Sequence, residues 1–242
     1  MIISNINSTS IVIPILNEEK NIVKLVKKIN FFLKKYKYEI IFIDDNSIDN
    51  SYKILRSLKK RHKNISFHIR KNKKRDLSQS CILGFQKAKF NNILVMDGDL
   101  QHNPKYLPKM ITSFNKKKLD FLVSSRNFKS PKNEGLSIIR FYASKIIILV
   151  FFAIVGKKTI DPMSGFFIFK KKIYQKNKGK LFGEGYKILS DLIYCNNNEY
   201  KISDLIIKFE TRKKGKSKMS FKILFQLIKF IFLISSKKFN FD

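Results

Sequence analysis

The sequence predicts an α/β fold, a mostly parallel sheet with helices on both faces. Three observations carry that expectation. Short apolar runs alternate with stretches whose apolar residues recur every three or four positions through roughly the first 125 residues. Acidic residues follow the ends of three of those runs. A hydrophobic content of 44 % in 242 residues is enough for a sizeable core.

The run from Ser10 to Leu16 is almost wholly apolar, as a strand buried on both faces requires. Asn17 reads as a helix cap, Glu18 and Glu19 fill a first turn, and Ile22, Leu25, Val26, Ile29, Leu33 and Tyr36 fall at helical spacing. Glu39 to Ile43 repeats the strand pattern. Asp49 then caps a helix carrying Tyr52, Leu55 and Leu58, and Ile65 to Ile69 forms a third strand. A helix around Leu77 to Lys89 leads to the strand Asn92 to Met96. Asn103-Pro104 opens a helix with Leu107, Met110, Ile111 and Phe114, followed by a strand from Asp120 to Ser124. In such a sheet ligands bind beyond the carboxyl ends of the strands. Asn17 with Glu18, Asp44 with Asp45, and Asp97 with Asp99 occupy three of those ends and are expected to share one crevice.

The second half is more apolar. Arg140 to Val155 reads as a helix, but its uncharged run, Ile146 to Val155, would span about 15 Å against a hydrocarbon core of about 30 Å, too short to cross. Residues 1–220 are expected to form one domain and 221–242 a C-terminal amphipathic helix. In that helix Lys222, Gln226 and Lys229 share one face, with Ile, Leu and Phe opposite. An interfacial helix on an anionic membrane surface and a core-packing helix both fit this pattern. Lys129 to Gly135 and Lys213 to Ser220 read as loops.

Lys and Arg number 50 against 18 Asp and Glu, a formal charge of +32. Such a chain is best tolerated beside phosphorylated ligands or an anionic surface. Enrichment in Lys, Ile, Asn and Phe without any Trp is equally consistent with general compositional drift, so charge alone does not argue for nucleic acid. Cys81 and Cys195 lack metal or disulfide spacing and read as core thiols of a reducing compartment. The N-terminus has no signal-peptide pattern, so the protein is expected on the cytoplasmic side.

Asp97-Gly98-Asp99 places two carboxylates on flexible backbone, an oxygen donor set suited to Mg²⁺ or Mn²⁺, to which Gln101 can add a carbonyl. A turn rich in Asp and Gly has the same composition. His102 reads as a supporting or surface residue, Asp49 as a cap, and Asp161 with Ser164 as a turn.

PILNEE (14–19), DDNSID (44–49), DGDLQHNP (97–104), SR (125–126), DPMSGF (161–166) and RKKGKSK (212–218) occur in the order found in family 2 glycosyltransferases. The chain most resembles the dolichyl-phosphate mannose synthase branch of that family, over roughly residues 9 to 220. The resemblance implies a GT-A fold, Rossmann-like, and a nucleotide sugar of GDP-mannose or UDP-glucose type. It further implies inverting transfer of a hexose to a polyprenyl phosphate at the membrane surface, with Mg²⁺ or Mn²⁺. Pro14, Leu16, which stands where the family carries an aromatic residue, Glu18, Ile43 and Asp45 would bind the nucleoside. Asp97, Gly98, Asp99 and Gln101 would surround metal and diphosphate, with Arg212 and Lys218 closing over the phosphates. Arg126, Arg140 and Ser144 would clamp the acceptor phosphate, the segment with Asp161 and Ser164 would line the site, and Asp97, Asp99 and Arg126 would carry catalysis. Family members with two long C-terminal spans anchor themselves. Here the apolar helices or a membrane anchor subunit would do so.

The charge chemistry agrees. A departing sugar leaves negative charge on the β-phosphate, which a divalent cation with Lys or Arg stabilises. A phosphate acceptor is already ionised and needs no general base. A saccharide acceptor would need one, and Ser124 to Val155 offers only Glu134. A non-catalytic basic module binding nucleic acid or membrane would leave the convergent aspartates without a use.

Overall fold

The computed structural model describes residues 8–71, 73–126, 149, 151–153, 156–185, 187–196 and 199–208. Its strands are β1 (Thr9–Ile15), β2 (Tyr38–Asp44), β3 (Ile65–Ile69), β4 (Asn92–Val95), β5 (Phe121–Ser125), β6 (Phe167–Lys170) and β7 (Ile202–Ile206). Its helices are α1 (Ile22–Phe32), α2 (Ser51–Arg61), α3 (Leu77–Lys87), α4 (Leu107–Lys116, entered through a 3₁₀ turn at Pro104–Tyr106), α5 (Lys171–Asn177) and α6 (Ile188–Tyr194). The strands form one seven-stranded sheet in the order β3-β2-β1-β4-β6-β5-β7. Only β6 runs against the others, antiparallel to both β4 and β5.

Alternate residues of each strand feed two cores, as the two-residue period demands. On one face Ile11, Ile13, Ile40, Phe42 and Leu94 pack against Ile22, Leu25, Val26 and Ile29 of α1, Leu55 and Leu58 of α2, and Met110, Ile111 and Phe114 of α4. On the other, Val12, Ile41, Ile43, Ile93 and Val95 meet Cys81 and Phe85 of α3, Ile173 and Tyr174 of α5, and Leu189, Leu192 and Ile193 of α6. Each such side chain, fully buried, contributes about 1.5–3 kcal/mol. Both cysteines are buried thiols, as expected, Cys81 within the α3 core.

Two local readings are corrected. Asn17 does not cap α1: it takes a positive φ of 58°, and its Oδ1 accepts the Ile48 N–H at 2.9 Å, so the helix begins only at Ile22. Asp49 lies one residue before the α2 cap position, Asn50. Its carboxylate accepts the amides of Ser51 at 3.0 Å and Glu19 at 3.1 Å, tying the β1 and β2 loops together. At Asn103 the expectation holds, since its side chain accepts the Lys105 N–H at 3.0 Å and Pro104 opens the turn.

Among the described residues no helix is long and apolar enough to cross a membrane. Arg140, Ser144, Arg212, Lys218, both polar loops, most of the apolar helix over 140–155 and the amphipathic helix over 221–242 lie outside the described residues.

Candidate active site

The crevice begins where two strands part. β1 pairs with β4 only from Thr9 to Val12, whereas its pairing with β2 continues to Ile15. Pro14, which has no N–H to offer a ladder, sits just beyond the last β4 partner. The chains of β1 and β4 therefore diverge at the point where strand order reverses, the place an open sheet uses for ligands. The opening has a volume of about 260 Å³. Pro14, Leu16 and Glu18 line it from β1, Asp45 from β2, Asp76 and Ser80 from the start of α3, and Asp97, Gly98, Asp99 and Gln101 from β4.

Among the described residues, most of those expected from sequence thus meet in one place, while Asn17, Ile43, Asp44 and Arg126 do not line it. Ile43 is fully buried in the core beneath α3 and reaches no ligand surface, so Asp45 alone represents that strand. Asp44 turns into its own loop, where Oδ1 accepts from the Ser47 amide at 2.9 Å and the Ser47 hydroxyl at 2.6 Å.

Close packing shapes the floor. A Cβ on Gly98 would lie 2.7 Å from Ile15 Cγ2, so only glycine lets the β4 turn lie against β1. On the far side Gly165 lies so close that a Cβ would be 3.2 Å from both Asp97 carboxylate oxygens. His102 is buried and stacked on Phe166 at 4.9 Å. Its Nδ1 accepts the Asp97 N–H at 3.0 Å, which assigns the ring proton to Nε2. It is a brace for the aspartate's backbone, not a surface residue. Asp99 Oδ1 accepts the Gln101 N–H at 3.0 Å, and Leu100 between them adopts a φ of 65°.

The wall opposite contains residues that sequence reasoning missed. Asp45 is buried and ion-paired with Arg70 at the end of β3, while its Oδ2 accepts the Asp76 N–H at 2.6 Å. Burial raises the Asp45 carboxyl above the usual range, opposed by that amide and by the Arg70 guanidinium. Asp76 caps α3, accepting the Gln79 N–H at 3.0 Å, and also accepts the Gly185 N–H at 2.7 Å. The Asp–Leu–Ser opening of α3 was a readable cap signal, and Arg70 directly follows a recognised strand. The Lys187 ammonium, beyond Gly185, is pushed down to about 8 by burial, against the pull of Asp191, Asp76 and Glu184.

Arg126 follows β5, two strands from β4, or roughly 10 Å along the sheet edge. Its Nε donates to Asp161 Oδ2 at 2.8 Å and its NH2 to Oδ1 at 3.2 Å, and Asp161 is fully buried. Because β6 is antiparallel, the segment from Asp161 to Phe166 enters the sheet at its carboxyl edge, between Arg126 and Asp97. Asp161 to Ser164 is a turn, closed by the Ser164 N–H on the Asp161 carbonyl at 3.2 Å, and it stands in the rim.

Electrically the crevice is the reverse of the molecule. Glu18, Asp45, Asp76, Asp97 and Asp99 line it with Arg75 as the one cation among the described lining residues. Asp97 retains 37 % side-chain exposure. Among the described residues no three His, Cys, Asp or Glu side chains converge on a metal. Mg²⁺ in nucleotide enzymes is held by one or two carboxylates plus substrate phosphates, so the Asp97–Asp99 pair fits a cation completed by a diphosphate.

Residues 10–177 match the family described as Glycosyl transferase family 2. The chain belongs to glycosyl transferase family 2. A dolichol-phosphate mannosyltransferase of Pyrococcus furiosus is 32 % identical over 92 % of this chain. The match covers 62 % of that relative's length, so this chain spans less than two thirds of it. The Saccharomyces cerevisiae dolichol-phosphate mannosyltransferase is 29 % identical over 90 % of this chain and 84 % of its own. A dodecaprenyl-phosphate galacturonate synthase of Rhizobium johnstonii is 26 % identical over 94 % of this chain and 68 % of its own. Among solved structures, glucosyl-3-phosphoglycerate synthase from Mycobacterium tuberculosis in complex with UDP superposes with a TM-score of 0.69 at 14 % identity, covering 95 % of this chain and 80 % of that one. The same enzyme bound to Mn²⁺, UDP-glucose and phosphoglyceric acid gives 0.67 at 13 % identity, with coverages of 94 % and 78 %. The fold is thus the GT-A fold of this family.

Proposed function

We propose that this protein transfers a hexose, mannose or glucose, from a nucleotide sugar to a polyprenyl phosphate at the cytoplasmic membrane face, inverting the anomeric carbon. The observation that carries this reading is the acidic crevice in a strongly basic chain. With Asp45 paired to Arg70 and Arg75 at the rim, Glu18, Asp76, Asp97 and Asp99 still repel a diphosphate unless a cation stands between them. Asp97, Asp99 and Gln101 would hold Mg²⁺ or Mn²⁺, which when bound neutralises charge developing on the departing diphosphate. Relatives named for dolichol-phosphate and dodecaprenyl-phosphate products support the lipid acceptor, and the Mn²⁺ and UDP-glucose complex of a structural neighbour supports the donor class.

The chain's own groups divide the remaining work. Pro14, Leu16, Glu18 and Asp45 form the nucleoside wall, with Arg75 at its rim. Gly98 seats the β4 turn on β1, His102 braces the Asp97 backbone, and Gly165 leaves room beside the Asp97 carboxylate. Arg126, held by Asp161, would meet the acceptor phosphate together with Arg140 and Ser144. Arg212 and Lys218 would close over the donor phosphates. The acceptor phosphate attacks as it stands, since it is ionised at neutral pH.

The test is transfer of radiolabel from GDP- and UDP-sugars into extractable lipid with polyprenyl phosphate and Mn²⁺, for wild type and Asp99→Ala. One donor should label lipid, and the variant should lose at least about a hundredfold. Label entering polysaccharide and not lipid would instead assign a saccharide acceptor and remove Arg126 and Arg140 from their roles.

A further inference from the structure

Among the described residues, charge is not spread evenly over the two helical layers. On one sheet face α1, α2 and α4 carry three, five and two Lys or Arg residues and no Asp or Glu. On the other, α3, α5 and α6 carry one, three and none, with Asp191 among them. Within α1 the outward stripe is ordered: Lys24, Lys27, Lys28 and Phe31 stand at i, i+3, i+4 and i+7, directly opposite the buried Ile22, Leu25, Val26 and Ile29.

Phe31 is 68 % exposed, an unusual position for a phenyl ring, and packs edge-on to Phe32 at 5.1 Å. The two rings and the three lysines line an open groove of about 410 Å³, completed by Asn103 and Lys105 from the turn before α4. Asn103 lies two residues beyond Gln101 of the crevice, so groove and crevice share one short loop.

We infer that this α1 flank docks on an anionic bilayer surface, with Phe31 entering the acyl boundary and Lys24, Lys27, Lys28 and Lys105 meeting lipid phosphates. A ring flanked by ammonium groups on flexible stems gives the depth order of an interfacial helix, apolar tip below and cations at headgroup level. The inference rests on the lipid-acceptor reading for its purpose. Its physical content, a charge-complementary surface, stands without it.

The test is co-sedimentation of the full chain with vesicles of equimolar phosphatidylcholine and phosphatidylglycerol, and with phosphatidylcholine alone. Wild type should partition onto the anionic vesicles only. Lys24→Glu with Lys27→Glu and Lys28→Glu should weaken partitioning at least about tenfold, and Phe31→Ala should weaken it several-fold. The matched reversal on the other face, Lys87→Glu with Lys172→Glu and Lys176→Glu, should leave it unchanged. All these side chains are at the surface, and an unaltered thermal midpoint shows that each variant is folded. Equal losses from both triple reversals would reduce the effect to net charge and overturn the docking surface. So would an α1 reversal that spared vesicle binding but abolished binding of a single-stranded RNA oligomer. No sugar donor or acceptor enters this assay, so its failure is separate from failure of the transferase reading.

Discussion

Arg70 carries a role larger than its position suggests. Its guanidinium bonds Asp45, the Asp76 carbonyl at 3.0 Å and the Lys74 carbonyl at 3.2 Å, and it is almost completely buried. Arg70→Ala would leave the Asp45 carboxylate buried without its cation and release the loop that presents Arg75 and Asp76 to the crevice. We expect a loss of about 3–5 kcal/mol in chemical denaturation, with Arg70→Ala plus Asp45→Asn recovering part of it. If Arg70→Ala unfolds like wild type, the pair is not the organising contact described. Asp45, Asp97 and Asp99 were readable because each ends an apolar run. Arg70 was not, since its function exists only through a partner 25 positions away in the chain.

At the scale of elements, helix α3 lies against β1 at one glycine. A Cβ on Gly84 would stand 2.3 Å from Val12 Cγ1, so the helix reaches the sheet only because that side chain is absent. Gly84→Ala should cost about 1–3 kcal/mol, and Val12→Ala in the same chain should restore much of it. Thermal unfolding of both variants decides whether the contact is as tight as it stands. The first half of the sheet was legible because β1 to β5 alternate with helices of ten or eleven residues, long enough to show their period. The second half was not. β6 has four residues and α5 and α6 seven each, too short for periodicity to separate strand from helix. Phe166 to Phe169 is uniformly apolar because both of its faces are covered, and nothing local in it signals the reversed direction. The turn at Asp161 to Ser164 is legible from its composition, but its place at the rim follows only from the reversed direction of β6.

Across the whole molecule, a formal charge of +32 makes the folded state repel itself. Raising sodium chloride from about 0.01 M to about 0.15 M shortens the screening length from about 30 Å to about 8 Å, and the thermal midpoint should rise by several degrees. A flat response would show that the folded chain already holds its cations beyond one another's reach. The single reversed strand has another consequence at this scale. β5 leaves the sheet at its carboxyl edge and β6 returns at that same edge, so the chain between Arg126 and Asp161 both departs from and rejoins the crevice mouth. Length or sequence can change within that excursion without shifting any strand register. Under the proposed function, what receives the sugar can thus be exchanged while the strands that would hold its donor stay untouched, a division of inheritance written into the connectivity itself.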